Sequence, residues 1–242
     1  MTRVAIVTGG TRGIGAAISK RLNADGYSVA AVYHGNDETA AAFKSEFGIS
    51  TYKFDVADPE AAAAGIGNIE SELGPVEILV NNAGITRDSM FHRMGLDQWS
   101  AVIHTNLDSM FSMTRPVIAG MRERSSGRIV NISSINGQKG QMGQVNYSAA
   151  KAGIIGFTKA LAQESARKGV TVNCICPGYI ETEMVGAMSE KALDSIIAQI
   201  PIGRLGKAEE VAGMVAYLVS PEAAFVTGAV MTVNGAQYLA NG

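Results

Sequence analysis

The run Arg3-Val-Ala-Ile-Val-Thr8, continued without a break by Gly9-Gly-Thr-Arg-Gly-Ile-Gly15, decides the fold class. Its first half is short, apolar at consecutive positions and rich in β-branched residues, as a strand covered on both faces must be. Its second half is a glycine-rich turn that opens onto a helix-like stretch. Glycines at 9, 13 and 15 give G-x-x-x-G-x-G, a spacing variant of the usual dinucleotide fingerprint. The physics is the same: a tight turn, close backbone approach to a pyrophosphate, and helix N-terminal N–H groups facing the anion. Gly9, Thr11, Arg12, Gly13, Ile14 and Gly15 are therefore candidate cofactor contacts. No Gly-Lys-Ser/Thr follows, so the loop is not a P-loop.

Outward from this unit, short β-branched runs alternate with helix-like stretches. Strands are expected at Val4–Thr8, Ser28–Tyr33, Thr51–Phe54, Ile78–Asn81, Arg128–Ile132, Thr171–Ile175 and Val230–Val233, with crossover helices such as Pro59–Leu73 and Ala152–Arg167 between them. Strands apolar on both faces, alternating with helices, predict a doubly wound α/β fold: a parallel sheet with helices on each side. Pro59 and Pro116 fit helix starts, and Gly26, Gly74 and Gly169 fit helix ends. No linker, repeat or low-complexity tract divides the chain, so one domain over residues 1–242 is expected. The segment 181–206 breaks the rhythm after the sixth strand, at the sheet edge where open α/β folds bind ligands. It is a candidate substrate lid.

The length of 242 residues suits one large domain, and a net charge of −2 gives no reason to expect nucleic acid or an anionic membrane as partner. The N-terminus lacks the pattern of a signal peptide, and no apolar run approaches a membrane span. A soluble cytoplasmic protein is the expectation. Cys174 and Cys176, the only cysteines, are read as buried structural thiols whose side chains leave a strand on opposite faces, which opposes a mutual disulfide or a shared metal. His34, His92 and His104 lack metal-ligand spacing, and no metal site is expected.

Cofactor choice should be legible at the end of the second strand, where an NAD site places an Asp or Glu for the ribose 2′-hydroxyl. That end reads Ala31-Val-Tyr-His-Gly-Asn36, with acids only at Asp37 and Glu38 beyond the turn. Arg12, inside the glycine loop, offers a guanidinium to a 2′-phosphate. NADP(H) is favoured over NAD(H).

The chemistry-bearing stretch is Tyr147-Ser-Ala-Ala-Lys151, with Asn131-Ile-Ser-Ser134 upstream. If Tyr147 opens a helix, Tyr147 and Lys151 stand one turn apart on one face. A neighbouring ammonium is expected to lower the phenol's pKa and let it exchange a proton near neutral pH.

Taken together, these motifs resemble the short-chain dehydrogenase/reductase superfamily, classical type. The likeness rests on Thr8–Gly15, Asp55-Val56, Asn81-Asn-Ala-Gly84, Asn106, Ser134, Tyr147, Lys151 and Pro177-Gly178, and it runs the whole chain. It implies a seven-stranded Rossmann-type sheet and a homotetramer. By position it makes Tyr147 the proton donor, Ser134 the hydrogen-bond partner of the substrate carbonyl, and Lys151 the group that binds the nicotinamide ribose and lowers the Tyr147 pKa. Asn106 would hold a water linking Lys151 to solvent. Asp55 and Val56 would contact adenine, while Asn82, Ala83 and Gly84 would line the cofactor path. Pro177, Gly178, Ile180 and Thr182 would hold the carboxamide, whereas Asn81 is read as pinning the central strand.

Within the superfamily the nearest likeness is to bacterial 3-oxoacyl thioester reductases. The stretch Asn136-Gly-Gln-Lys-Gly-Gln-Met-Gly-Gln144 resembles the branch acting on acetoacetyl-CoA in polyhydroxybutyrate synthesis, rather than the acyl-carrier-protein branch of fatty acid synthesis. That likeness implies NADPH-dependent reduction of acetoacetyl-CoA to (3R)-3-hydroxybutyryl-CoA. Asp88, Gln141, Gln144 and Tyr179 would line the substrate pocket, and Arg93 would meet a coenzyme A phosphate. Met142 departs from the Phe of the best-known relative.

Overall fold

The computed structural model describes residues 2–182 and 190–239. Seven strands form one fully parallel sheet in the order β3-β2-β1-β4-β5-β6-β7. They are β1 (Val4–Thr8), β2 (Ser28–Tyr33), β3 (Ser50–Lys53), β4 (Val76–Asn81), β5 (Gly127–Ile132), β6 (Val170–Pro177) and β7 (Val230–Val233). The order reverses between β1 and β4, so their carboxyl ends flank the crevice in which such sheets bind ligands.

Every side chain of β1 is buried, because it is covered on both faces. Ala5 and Val7 pack with helices α1 (Gly13–Ala24) and α2 (Asp37–Phe47) in one apolar cluster. Val4 and Ile6 pack with α3 (Pro59–Leu73) in the other. The alternation is the two-residue period of a strand made three-dimensional, and burial of each of Val4, Ile6 and Val7 contributes roughly 1.5–3 kcal/mol. The first cluster is completed by α9 (Ala208–Val219), and the second by α5 (Ser109–Glu123) and α7 (Val145–Ser165). Between them lie α4 (Leu96–Ile103), α6 (Ile135–Lys139) and α8 (Glu190–Ile197). Helix α3 has every boundary signal at once: Asp58 accepts from Glu60 N and Ala61 N, Pro59 takes the first turn, and Gly74 closes it at φ 99°.

Three expectations need correction. Pro116 does not start a helix; it lies inside α5. A proline there forfeits a backbone hydrogen bond, and the helix persists because Met113, Val117 and Met121 on its inner face are buried against the sheet. The long helix expected from Ala152 begins at Val145, seven residues earlier, so Tyr147 is its third residue rather than its first. Cys174 and Cys176 are buried and free as expected, yet they share one face and one cluster with Met110 and Ile154. Two steps along a pleated strand restore the side-chain direction, so the opposite-face reading was wrong. Among the described residues no group of His, Cys, Asp and Glu could hold a metal ion, and no helix is long and apolar enough to cross a membrane.

The excursion after β6 leaves and returns at one point. Ile180 and Gly206 form a parallel bridge, with Glu181 N donating to Gly206 O and Gly206 N to Tyr179 O. Of the expected lid, residues 183–189 lie outside the described residues.

Candidate active site

The glycine loop and the end of β4 are built as one unit. Gly9 takes φ 62°, the left-handed region that favours glycine, and a Cβ on Gly15 would collide with the Gly9 carbonyl and the Asn82 amide. Asn82 Nδ2 donates to Thr8 O at 2.9 Å, and the Thr8 hydroxyl accepts from both Asn82 N and Ala83 N at 2.9 Å. Thr8 therefore rivets the two strand ends at the switch point. Sequence reading missed it because its partners lie 74 and 75 residues away. Thr11 is buried in the loop, Arg12 is exposed, and Ile14 packs its half-buried side chain on the core. A methyl group of Thr182 stands 3.7 Å from where a Cβ of Gly13 would be, so the segment after β6 closes over the glycine loop. Pro177 ends β6, Ile180 is buried, and Gly178 passes so near Asn234 that a Cβ would sit 2.9 Å from it.

At the far rim of the crevice, Asp55 follows β3 and accepts from Ala57 N, with Val56 buried beneath it. Asn36 caps α2 by accepting from Thr39 N, and Asp37 is paired with Lys53 at 2.6 Å. The acid nearest the end of β2 is thus already engaged.

Tyr147, Ser134, Lys151 and Asn106 come together beside Gly84. Ser134 stands near enough to the Tyr147 phenol to lower its pKa, and Lys151 Nζ lies 5.6 Å from the centre of the Tyr147 ring. Lys151 is only 4% exposed and donates to the Ile132 carbonyl at 2.8 Å. A Cβ on Gly84 would sit 3.2 Å from Asn106 Oδ1 and 3.5 Å from Lys151 Nζ, so only glycine leaves that approach open. Asn106 lies in a π-helical turn, His104–Asp108, where its amide accepts from Ile85 N and donates to Ile85 O. The neighbouring Ser133 has a different task, donating to the Lys151 carbonyl at 2.7 Å. The start of α7 is fixed by Asn146, a second residue the sequence reading missed. It donates to Arg87 O and Gln98 O and accepts from Tyr147 N.

The electrostatics correct one expectation. Burial pushes the Tyr147 phenol above its ordinary value; the Ser134 hydrogen bond opposes this and the Asp88 charge adds to it. Lys151 is not among the causes. Its own amine is pushed down to about 8 by burial. The protein alone gives a protonated phenol beside a readily deprotonated amine, because both are desolvated and the lysine's strongest bond is to backbone.

Of the expected substrate residues, Asp88 and Gln144 meet, Gln144 Nε2 donating to Asp88 Oδ2 at 2.7 Å. Gln141 is part of the same loop and accepts from Gln144 N through its carbonyl. Tyr179 is half-buried at the base of the excursion. Arg93 sits on an exposed 3₁₀ turn, Phe91–Arg93, donating to His92.

The model of the short chain dehydrogenase family matches residues 3–193. The chain belongs to that family. It is accordingly an oxidoreductase that uses a nicotinamide cofactor. It is 64% identical over 239 residues to acetoacetyl-CoA reductase of Shinella zoogloeoides, covering 98% of this chain and 99% of that one. It is 64% identical over 241 residues to acetoacetyl-CoA reductase of Rhizobium meliloti, with 99% and 100% covered. A more distant relative is 3-oxoacyl-[acyl-carrier-protein] reductase of Vibrio cholerae, 45% identical over 240 residues and 98% of each chain.

Proposed function

We propose that this chain is an NADPH-dependent acetoacetyl-CoA reductase that forms (3R)-3-hydroxybutyryl-CoA for polyhydroxybutyrate synthesis. The observation that carries the chemistry is the Tyr147 phenol with Ser134 and buried Lys151 beside it, next to the switch-point crevice. The full-length likeness to acetoacetyl-CoA reductases supports the substrate.

The residues fit a dinucleotide. The cradle at Gly9, Gly13 and Gly15 is one that side chains would fill, and Gly84 stays exposed although flanked by Asn106 and Lys151. In this reading Thr11, Arg12, Ile14, Asp55, Val56, Asn82, Ala83, Pro177, Gly178, Ile180 and Thr182 are the further cofactor contacts. When bound, the nicotinamide supplies a hydride to the substrate carbonyl carbon. Ser134 then donates to the carbonyl oxygen as charge develops there. Tyr147, whose phenol stays protonated at neutral pH, gives its proton to that oxygen. Lys151, which would bind the ribose hydroxyls, and Asn106, which would hold a water linking Lys151 to solvent, return the proton to Tyr147. Exposed Arg12 with engaged Asp37 supports NADPH over NADH. The excursion 181–206, pinned at Ile180 and Gly206, is the substrate lid of a single-domain enzyme. A homotetramer and a cytoplasmic location complete the reading.

The test is kcat/KM for acetoacetyl-CoA and for an acetoacetyl carrier protein, each with NADPH and NADH. Preference for acetoacetyl-CoA with NADPH is expected. Preference for the carrier protein would make the chain a fatty-acid-synthesis reductase and overturn the assignment.

A further inference from the structure

We infer that Asn136 is a positioning residue for the substrate edge of the site, holding Gln144 so that it binds Asp88 and ties together the loops that follow β4 and β5. The inference deepens the proposed function and rests on it.

Asn136 follows Ser134 by two residues and is 8% exposed. Its backbone N–H donates to the Ser134 hydroxyl at 3.1 Å, so it is part of the turn that aims that hydroxyl. Its side-chain Nδ2 donates to Gln144 Oε1 at 3.0 Å, and Gln144 Nε2 in turn donates to Asp88 Oδ2 at 2.7 Å. A backbone bond, Ser89 N to Gly143 O at 2.9 Å, runs alongside. This relay is the side-chain link that crosses from the turn after β5, through the glutamine loop, to the loop after β4.

The polarity of the relay assigns the residue type. An ionised carboxylate only accepts, so Asp88 requires the Gln144 amide to present its NH₂ end. That leaves Oε1 facing inward, where it needs a donor. Asn136 supplies it from a buried position; an aliphatic residue there would leave Oε1 unpaired and Gln144 free to swing away from Asp88.

Since Asn136 touches neither the Tyr147 phenol nor the glycine loop in any of these bonds, its loss should act on thioester binding rather than on cofactor binding. The test compares the wild type with Asn136→Leu, which keeps the branching of the side chain but removes its donor, with Gln144→Ala, and with the double variant. Each is assayed with acetoacetyl-CoA and NADPH, with NADPH affinity followed by nucleotide fluorescence and folding by thermal melting. Asn136→Leu is expected to raise KM for acetoacetyl-CoA about tenfold, with kcat and NADPH affinity little changed. The double variant should be no worse than Gln144→Ala, because the two residues act through one contact. Multiplicative effects in the double variant, an unchanged KM, or a KM rise accompanied by equal loss of NADPH affinity would each overturn the inference. A wild type that reduces no acetoacetyl-CoA would instead overturn the proposed function, so the two failures are distinct.

Discussion

Lys151 Nζ lies 5.6 Å from the centre of the Tyr147 ring yet is tied to the Ile132 carbonyl rather than to the phenol oxygen. The two residues are one helical turn apart on α7, so the approach follows from i,i+4 geometry. With the phenol held above its usual pKa by burial, Tyr147 is protonated at neutral pH, as the proposed role of proton donor in the reducing direction requires. Tyr147→Phe keeps the ring and its packing but removes that proton. We expect kcat to fall by about 10²–10⁴-fold with NADPH affinity nearly unchanged. Steady-state kinetics with a fluorescence titration would decide it, and full turnover by the variant would remove the mechanism.

The buried lysine has a cost that depends on pH. Its pKa is about 8 in the folded protein against 10.5 in the free side chain, so below pH 8 the fold carries a charged group it disfavours. As pH rises from about 8 to about 10.5, the unfolded chain still binds this proton and the folded one does not, so stability rises. The full relief is about 3 kcal/mol. Lys151→Met lacks this slope. Urea unfolding of both proteins across that range should therefore favour the wild type progressively, by an amount approaching that figure. Parallel stability curves would contradict the expected burial penalty.

Much of this was legible because local chemistry and tertiary burial agree. Val4–Thr8, Ser28–Tyr33 and Val230–Val233 are read to the residue, since each is apolar, β-branched and bounded by turn formers. Pro116 misleads because its local meaning, a helix start, is overridden by Met113, Val117 and Met121 beneath it. The early start of α7 is hidden for a related reason. Asn146 looks like a turn residue, but its amide is used to staple the helix to Arg87 and Gln98. The site residues themselves stand in recognisable motifs. The bonds that position them, Thr8 to Asn82 or Gln144 to Asp88, join distant parts of the chain and leave no local pattern.

Thr8 tests that last point. Its hydroxyl oxygen receives two backbone N–H groups, from Asn82 and Ala83. Thr8→Val preserves the shape and β propensity of the strand end while leaving both donors unpaired. At about 1–3 kcal/mol for each of the two stranded groups, we expect a loss of about 2–6 kcal/mol, read as an earlier urea midpoint. NADPH affinity should fall with it, because Asn82 is also bonded to the glycine loop. Thr8→Ser keeps the acceptor and should recover most of both.

The proposed preference for NADPH over NADH rests on Arg12 and Asp37. Arg12 is exposed at the start of α1, and Asp37 is held at 2.6 Å by Lys53, with its carboxyl below the usual carboxylate range chiefly because of that bond. A ribose 2′-phosphate would find the Arg12 guanidinium, with Asp37 already neutralised by Lys53. Removing the guanidinium should therefore act on one cofactor only. Arg12→Ser is expected to reduce kcat/KM for NADPH by about 10–100-fold, the worth of one charge-assisted hydrogen bond, while the value for NADH moves little. Equal losses with the two cofactors would mean that Arg12 supports the glycine loop as a whole and does not select the 2′-phosphate.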